Sequence, residues 1–160
     1  MTEVNRVPID GQSWPTWQFV SAGKDMRAVS QLISSVMGQG YSHDGFTALA
    51  SLPDLVRIEL RGPGTELLGV LLAVASAQGV LHVLFIAVDS AFQRRGLGRE
   101  VWQKLLAWSR LRRFEKITVH VKTSNSSAIS FYNALGLIVE RRIPQYYELE
   151  DALELSVPLD

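Results

Sequence analysis

The chain has 160 residues, 47% of them hydrophobic, with no cysteine and with 16 basic side chains against 16 acidic ones. This length predicts a single domain over residues 1–160, with 1–13 as a loose leader. The lack of cysteine excludes disulfides and a thiol nucleophile, and three scattered histidines predict no metal site. The zero net charge argues against general nucleic-acid binding, and no apolar run reaches the roughly 18 residues of a membrane span. We expect a cytoplasmic protein, a monomer or homodimer, with neither nucleic acid nor membrane as partner.

The first half of the chain predicts one helix and four strands. A short strand over 16–20 puts Trp17 and Phe19 on one face. From Asp25 the apolar residues recur at three- and four-residue steps, which is typical of a helix, and Gly38 ends it. Residues 41–52 form a polar loop with room for a short helix. Strands then follow at 55–60, 67–75 and 80–88, joined by turns at 61–64 and 78–79.

The second half predicts two helices and three strands. An amphipathic helix extends from Leu97 through Trp108, and a strand follows at 116–121. A second helix over 126–135 is stopped by Gly136, at a position that favours a left-handed residue. Strands at 137–142 and 153–159 complete the chain. The order of elements predicts an α/β fold (α+β), a mixed sheet with helices on its faces.

A glycine-rich basic segment, Gln93-Arg94-Arg95-Gly96-Leu97-Gly98, lies between an apolar strand and a long helix. Glycines let a backbone approach a ligand where a Cβ would collide, and the first amides of a helix have no partner within it. Residues 93–116 also hold eight of the sixteen basic side chains. The segment therefore predicts a site for a phosphate or pyrophosphate, against the alternative of an ordinary turn with a solvated basic face. It lacks the Gly-Lys-Ser/Thr of a Walker loop.

Three segments resemble one known family. The basic segment after Val88-Asp89 is similar to the acetyl-coenzyme A loop of the GNAT acetyltransferases. The run from Asn125 to Leu137 resembles their second signature, Asn-x-x-Ala, then Tyr, then Gly-Phe, with Leu in place of the Phe. Residues 141–153 resemble the end of the ribosomal-protein-alanine N-acetyltransferases and related N-terminal acetyltransferases. The resemblance implies the GNAT fold, a mixed and mostly antiparallel sheet of about seven strands flanked by about four helices.

The resemblance also implies how acetyl-CoA binds. Its pantetheine arm would pair with the backbone of the strand that ends at residue 88, and its pyrophosphate would lie on the loop and its arginines. Asn125 would contact the cofactor arm, although its type and place also suit a helix N-cap. The cofactor-binding residues so implied are Ile86, Ala87, Val88, Arg94, Arg95, Gly96, Leu97, Gly98, Arg99 and Asn125.

Two residues are candidates for proton chemistry. Tyr132 matches the family tyrosine that reaches the sulfur, while its place on an amphipathic helix also suits a core aromatic. His120 is the candidate base, twelve residues before Tyr132. The alanine acetyltransferases carry a Glu there, and some eukaryotic relatives carry a His. His82 is the reserve base, on a strand face that we expect it to share with Leu84 and Ile86; a lone histidine in a sheet is more often structural.

The acceptor is predicted to be a primary amine. By resemblance Tyr146 and Tyr147 would line its groove, with Tyr41 and His82 as weaker contacts. An α-amine titrates near 8 and a lysine near 10.4, so a histidine base near 6.5 suits a protein or peptide N-terminus better. The lack of cysteine favours direct attack in a ternary complex. Alternatives are acetylation of a small-molecule amine, a non-catalytic acyl-CoA sensor and a nucleotide-binding module.

Overall fold

The structure is a computed structural model that describes residues 15–21, 25–38 and 48–160. The predicted leader and Tyr41 lie outside these residues. Seven strands are present: β1 (Trp17–Phe19), β2 (Leu55–Arg61), β3 (Leu67–Ala75), β4 (Val80–Val88), β5 (Lys116–Lys122), β6 (Ile138–Tyr147) and β7 (Glu150–Pro158). The helices are α1 (Arg27–Met37), α2 (Leu97–Leu111) and α3 (Ser126–Ala134), with further helical residues at 48–50 and a 3₁₀ turn at Ser90–Phe92.

The strands form one mixed sheet in the order β1-β2-β3-β4-β5-β7-β6. Every neighbouring pair is antiparallel except β4 and β5, which are parallel. The predicted α/β class and mostly antiparallel sheet are therefore confirmed. No helix among the described residues is both long and apolar enough to cross a membrane.

Helices cover both faces of the sheet, and each face has its own apolar cluster. α2 and α3 pack on one face, where Val101, Trp102 and Leu105 are fully buried. α1 packs on the other face through Val29 and Ile33, which are also fully buried. We call these the α2 face and the α1 face. Their separation matters because the candidate site residues divide between them.

A bulge in β4 changes the expected facing of its residues. Leu72 pairs with Phe85 but Ala73 pairs with Val83, so Leu84 is an inserted residue. Leu84 and Phe85 both pack on the α1 face, and Ile86 packs on the α2 face. The expectation that His82 shares a face with both Leu84 and Ile86 is therefore wrong for Ile86, because the extra residue reverses the alternation after it.

The last two strands are longer than predicted. β6 continues to Tyr147 and β7 begins at Glu150, where these two residues pair. A register shift between Ile143 and Tyr147 interrupts this pairing, and Gln145 has a φ of 50°. Asp151 holds the irregular segment by accepting a hydrogen bond from the backbone N–H of Gln145 at 2.9 Å. The hairpin thereby carries Tyr146 and Tyr147 back over the sheet.

Candidate active site

The sheet opens between its two parallel strands. β4 pairs with β5 only over Val80–Val83, opposite Lys116–Val119. Beyond this point β4 continues beside β3, while β5 continues beside β7. The edge of β4 that faces β5 therefore has no strand beside it over Phe85–Val88, among the described residues. An exposed strand edge of this kind offers backbone hydrogen bonds to an extended ligand.

The predicted phosphate loop lies at the end of this edge. Gly96 caps α2 with a left-handed φ of 78°, and Arg94 has a φ of 62°. The Glu100 amide bonds to the Gly96 carbonyl at 3.0 Å, so the amides of Leu97, Gly98 and Arg99 remain as the free first turn of the helix. Arginines 94, 95 and 99 are all exposed around it.

Two residues of this region have structural contacts that the sequence did not predict. A Cβ built on Gly98 would lie 3.3 Å from the Phe131 ring, so this glycine lets α2 approach α3 closely. The Val88 carbonyl accepts a hydrogen bond from the Gln93 side chain at 2.8 Å. One acceptor of the backbone segment predicted to pair with a ligand, the Val88 carbonyl, therefore already has a partner within the chain.

His120 lies on the α1 face beside the opening, one residue beyond the last β4–β5 pair. Its Nε2 is 2.7 Å from Glu154 Oε2, and its Nδ1 is 3.0 Å from the Tyr146 hydroxyl. Glu154 is directly opposite His120 in the β5–β7 register, and Arg141 binds both Glu154 carboxylate oxygens at 3.2 and 3.3 Å. These four side chains form one hydrogen-bonded chain.

His82 stands next to this chain but differs from it electrostatically. Its ring centroid is 4.3 Å from that of His120, and its Nδ1 is 2.7 Å from the Thr118 hydroxyl. Burial, and then the neighbouring His120, lower the pKa of His82 to about 4. A base this weak is poorly matched to an amine that titrates near 8, so we interpret His82 as a structural residue.

Tyr132 lies on α3 and packs on the α2 face of the sheet. Its side chain is 9% exposed and makes edge-to-face contacts with Trp102 and Phe131, at centroid distances of 5.9 and 5.2 Å. Burial, and then the nearby Tyr147, raise the pKa of the Tyr132 hydroxyl. It therefore keeps its proton at all ordinary pH values. Tyr132 is therefore a core aromatic, as one of the two interpretations of the sequence has it, and its contact with a cofactor sulfur stays a prediction.

The remaining predicted residues are placed as follows. Asn125 caps α3 by accepting a hydrogen bond from the Ala128 amide at 3.1 Å, which confirms its N-cap role; a contact with the cofactor stays a prediction. Tyr146 is half exposed and packs against His120, with ring centroids 4.7 Å apart. The Tyr147 hydroxyl lies 3.4 Å from the His120 carbonyl.

Comparison with known proteins decides the family. A profile of the acetyltransferase (GNAT) family matches residues 29–137, more than half of the chain. The chain belongs to the GNAT acetyltransferase family. It is accordingly an N-acetyltransferase that uses acetyl-CoA, as the loop and the second signature predicted.

Named relatives include several N-terminal acetyltransferases. The N-terminal acetyltransferase B complex catalytic subunit NAA20 of Arabidopsis thaliana is 30% identical over 71% of this chain and 67% of its own length. The [ribosomal protein bS18]-alanine N-acetyltransferase of Salmonella typhimurium is 36% identical over 46% of this chain and 53% of its own. The crystal structure of the Escherichia coli ribosomal-protein-S18-alanine N-acetyltransferase superposes with a TM-score of 0.79 at 22% identity, covering 91% of this chain and 95% of that one. This last likeness supports the GNAT fold.

The GNAT site fits acetyl-CoA on observations of this chain alone. Among the described residues, no strand lies beside the end of β4 at the opening between β4 and β5, and three exposed arginines supply positive charge. The first amides of α2 have no acceptor within the helix, because its first intrahelical bond is that of the Glu100 amide. The extended pantetheine arm of acetyl-CoA would lie along the strand edge, and its pyrophosphate would lie on the amides and the arginines.

Sequence reasoning missed two members of the site, Glu154 and Arg141. Acidic residues close to Glu154 in the chain have structural partners of their own, since Glu150 binds Ser124 and Asp151 binds Arg142. Alternation in β7 does separate Glu154 from its apolar neighbours Leu153 and Leu155. Pairing that residue with His120, however, requires the register of strands far apart in the chain.

Proposed function

We propose that this GNAT enzyme acetylates the N-terminal α-amine of a protein or peptide by direct attack in a ternary complex. The observation that carries the proposal is that the two candidate proton-handling groups lie on opposite faces of the sheet in which β4 and β5 separate. His120 is on the α1 face, directly after the last β4–β5 pair, and Tyr132 is on the α2 face. The relatives named above, an N-terminal acetyltransferase and a ribosomal protein bS18 alanine N-acetyltransferase, support the same class of acceptor.

The binding residues follow from the free edge and the loop. The backbone of Ile86 and Ala87 would hold the pantetheine arm, and the first amides of α2 with Arg94, Arg95 and Arg99 would hold the pyrophosphate. When bound, acetyl-CoA supplies an acyl thioester that an amine attacks. This chain's residues then have two tasks, which are removal of a proton from the amine and stabilisation of the leaving sulfur.

His120 is proposed as the proton acceptor and Tyr132 as the donor to sulfur. Full proton transfer from tyrosine to a thiolate is uphill by about 1.5 pH units even with ordinary values, near 10 and 8.5. Burial raises the pKa of Tyr132 further, which makes transfer harder. Tyr132 therefore acts by hydrogen bonding to the sulfur, in a buried site where such a bond is strong.

Acceptor choice follows from amine basicity. About 2.4 pH units separate an α-amine from a lysine, so deprotonating the lysine costs about 3.3 kcal/mol more at neutral pH. At neutral pH the deprotonated, reactive fraction of an α-amine is therefore more than a hundredfold larger than that of a lysine. Tyr146 and Tyr147, carried over the sheet by the β6–β7 hairpin, would contact the peptide; Tyr41 is proposed with them on the family resemblance alone.

The test compares matched acceptors. One peptide is offered with a free N-terminus and blocked lysines, and its twin with a blocked N-terminus and free lysines, beside a panel of amino acids and polyamines. We expect acetylation of the first peptide only. Turnover confined to free small amines would overturn the protein-terminus proposal, and binding of acetyl-CoA without turnover on any amine would favour the sensor alternative.

A second measurement tests the two roles. His120→Gln and Tyr132→Phe should each lower kcat by about 10²- to 10⁴-fold, the usual range for acid–base groups. Both variants should keep their affinity for CoA, because neither residue lies on the loop. Wild-type rates in either variant would remove that residue from the mechanism.

A further inference from the structure

The chain of side chains around His120 specifies which of its two nitrogens is basic. We propose that Glu154 holds His120 in the tautomer with its proton on Nε2, so that Nδ1 is the base and receives its proton through the Tyr146 hydroxyl. This inference rests on the proposed function in taking His120 as the proton acceptor. It adds Glu154 and Arg141 as positioning residues and gives Tyr146 a step in the proton path.

The first step concerns the charge of Glu154. Arg141 binds both of its carboxylate oxygens, and its hydrogen bond, with that of His120, holds the pKa of Glu154 below its usual value. An ionised carboxylate accepts hydrogen bonds and has no proton to donate. At 2.7 Å from Glu154 Oε2, the His120 Nε2 must therefore be the protonated nitrogen. Nδ1 is left with a lone pair.

The second step concerns what Nδ1 meets. The Tyr146 hydroxyl lies 3.0 Å away, within range for donating its O–H to that lone pair. The side chains of His120 and Glu154 are only 16% and 13% exposed, whereas Tyr146 is 48% exposed. Tyr146 is therefore more accessible from solvent than the imidazole to which its hydroxyl is bound.

The proton path balances without any further reactant. The amine nitrogen forms its bond to the acyl carbon of the thioester, the C–S bond breaks, and the sulfur leaves as a thiolate that would accept the Tyr132 hydrogen bond. The amine meanwhile releases a proton to the Tyr146 oxygen. The hydroxyl proton passes in the same event to His120 Nδ1. Tyr146 ends as it began, and His120 becomes an imidazolium that donates from Nε2 to the Glu154 carboxylate. The carboxylate stabilises that cation, as an acid does in other carboxylate–histidine pairs.

The other groups around His120 are compatible with this assignment. From β4, His82 faces it as a neutral ring, since its pKa is about 4. From β7 comes Glu154, and from β6 come Arg141, Tyr146 and Tyr147. The Tyr147 hydroxyl lies 3.4 Å from the His120 carbonyl. Among the described residues, Glu154 is the carboxylate in contact with the His120 ring. Removal of this carboxylate should therefore change the stability of the His120 imidazolium more than removal of any other group named here.

Nitrogen NMR of the free enzyme tests the tautomer without any acetyl transfer. In the neutral range we expect the His120 Nε2 signal to be that of a protonated nitrogen and Nδ1 that of a bare one. Glu154→Gln should shift the His120 titration to lower pH, and Arg141→Gln should shift it to higher pH by freeing the carboxylate charge. Arg142→Gln is the matched control, because Arg142 is also 64% exposed but pairs with Asp151; it should leave the titration unchanged.

The opposite assignment in the wild type, with Nδ1 protonated and Nε2 bare, would overturn the proposal. So would a Glu154→Gln titration that matches that of Arg142→Gln.

Kinetics test the Tyr146 step. The acid limb of the kcat/KM–pH profile should move in the same directions as the NMR titrations. Tyr146→Phe should lower kcat at least tenfold with the tautomer preserved, since a general base is typically worth 10²- to 10⁴-fold. A smaller loss would overturn the passage of the proton through Tyr146.

These outcomes separate the inference from the function. If peptides are not acetylated, the NMR assignment still stands or falls by itself. If His120→Gln retains full activity, the proposed base is wrong whichever nitrogen carries the proton.

Discussion

A buried ion pair beneath α1 offers a quantitative test of how this fold is held together. Arg57 and Glu59 are only 4% and 3% exposed, and they share a face of β2. The Arg57 Nε donates to Glu59 Oε1 at 2.8 Å, and its guanidinium also reaches the Asp25 carbonyl at 3.2 Å. Arg61 binds the second Glu59 oxygen at 3.0 Å. Burial alone would raise the pKa of Glu59, but the hydrogen bonds from Arg61 and Arg57 outweigh it and leave the pKa lowered.

Glu59→Gln keeps the shape of the side chain and removes its charge. Arg57 then stays buried and loses the Glu59 carboxylate, and breaking one partner of a buried pair costs about 3–5 kcal/mol. At about 2–4 °C per kcal/mol for a chain of this size, Tm should fall by about 6–20 °C. The matched control is Glu140→Gln, whose pair with Lys116 is more than one-third exposed on both sides. Such a surface pair is worth about 0–1 kcal/mol.

The assay is urea and thermal unfolding followed by tryptophan fluorescence and circular dichroism. A double variant, Arg57→Met with Glu59→Leu, should recover most of the lost stability, because two apolar side chains of similar volume leave no buried charge. If Glu59→Gln costs no more than Glu140→Gln, the pair is not effectively desolvated and this reasoning fails. Acid should mimic the variant: the contribution of Glu59 is present above about pH 4.5 and is lost as pH falls through its lower folded pKa.

Three further outcomes are expected. Because the pKa of His82 falls from 6.5 to about 4 on folding, the free energy of unfolding of the wild type should decline as pH drops from 6.5 to 4. His82→Gln should remove about 3 kcal/mol of that decline. If urea unfolding shows the same decline with pH in the wild type and in the variant, this expectation is wrong. Asn125→Ala should lower the free energy of unfolding by about 1 kcal/mol through the lost helix cap, and Asn125→Ser should restore that stability. If the serine variant nevertheless binds CoA more weakly than the wild type, the difference in affinity measures a contact of Asn125 with the cofactor. Gly96→Ala should lower the free energy of unfolding by about 1–2 kcal/mol, because Gly96 has a φ of 78°, and should weaken CoA binding measured by calorimetry. A Tm equal to that of the wild type would contradict this expectation and show that the loop relaxes around the new side chain.

Local chemistry accounts for what could be read from the residues alone. The helical repeats around Val29 and Val101 and the alternation of the strands depend on nearest neighbours, and so do the left-handed glycines at 96 and 136, which lie where turns were expected. The glycine-rich basic loop is equally local, since a helix start and its charges are contiguous in the chain. Element order and the cofactor loop were accordingly predictable.

The surroundings of His120 depend instead on contacts between distant segments. Tyr146 and Glu154 are 26 and 34 residues away from it, and they reach its two nitrogens through the register of β5, β7 and β6. A single inserted residue, Leu84, reverses which face the end of β4 presents, and an irregular stretch before Tyr147 turns Tyr146 toward the imidazole. Strand register and bulges are settled by the packing of whole faces against helices, because a one-residue slip would move every side chain of a strand to the opposite face and out of its apolar cluster. No periodicity within one segment carries that information.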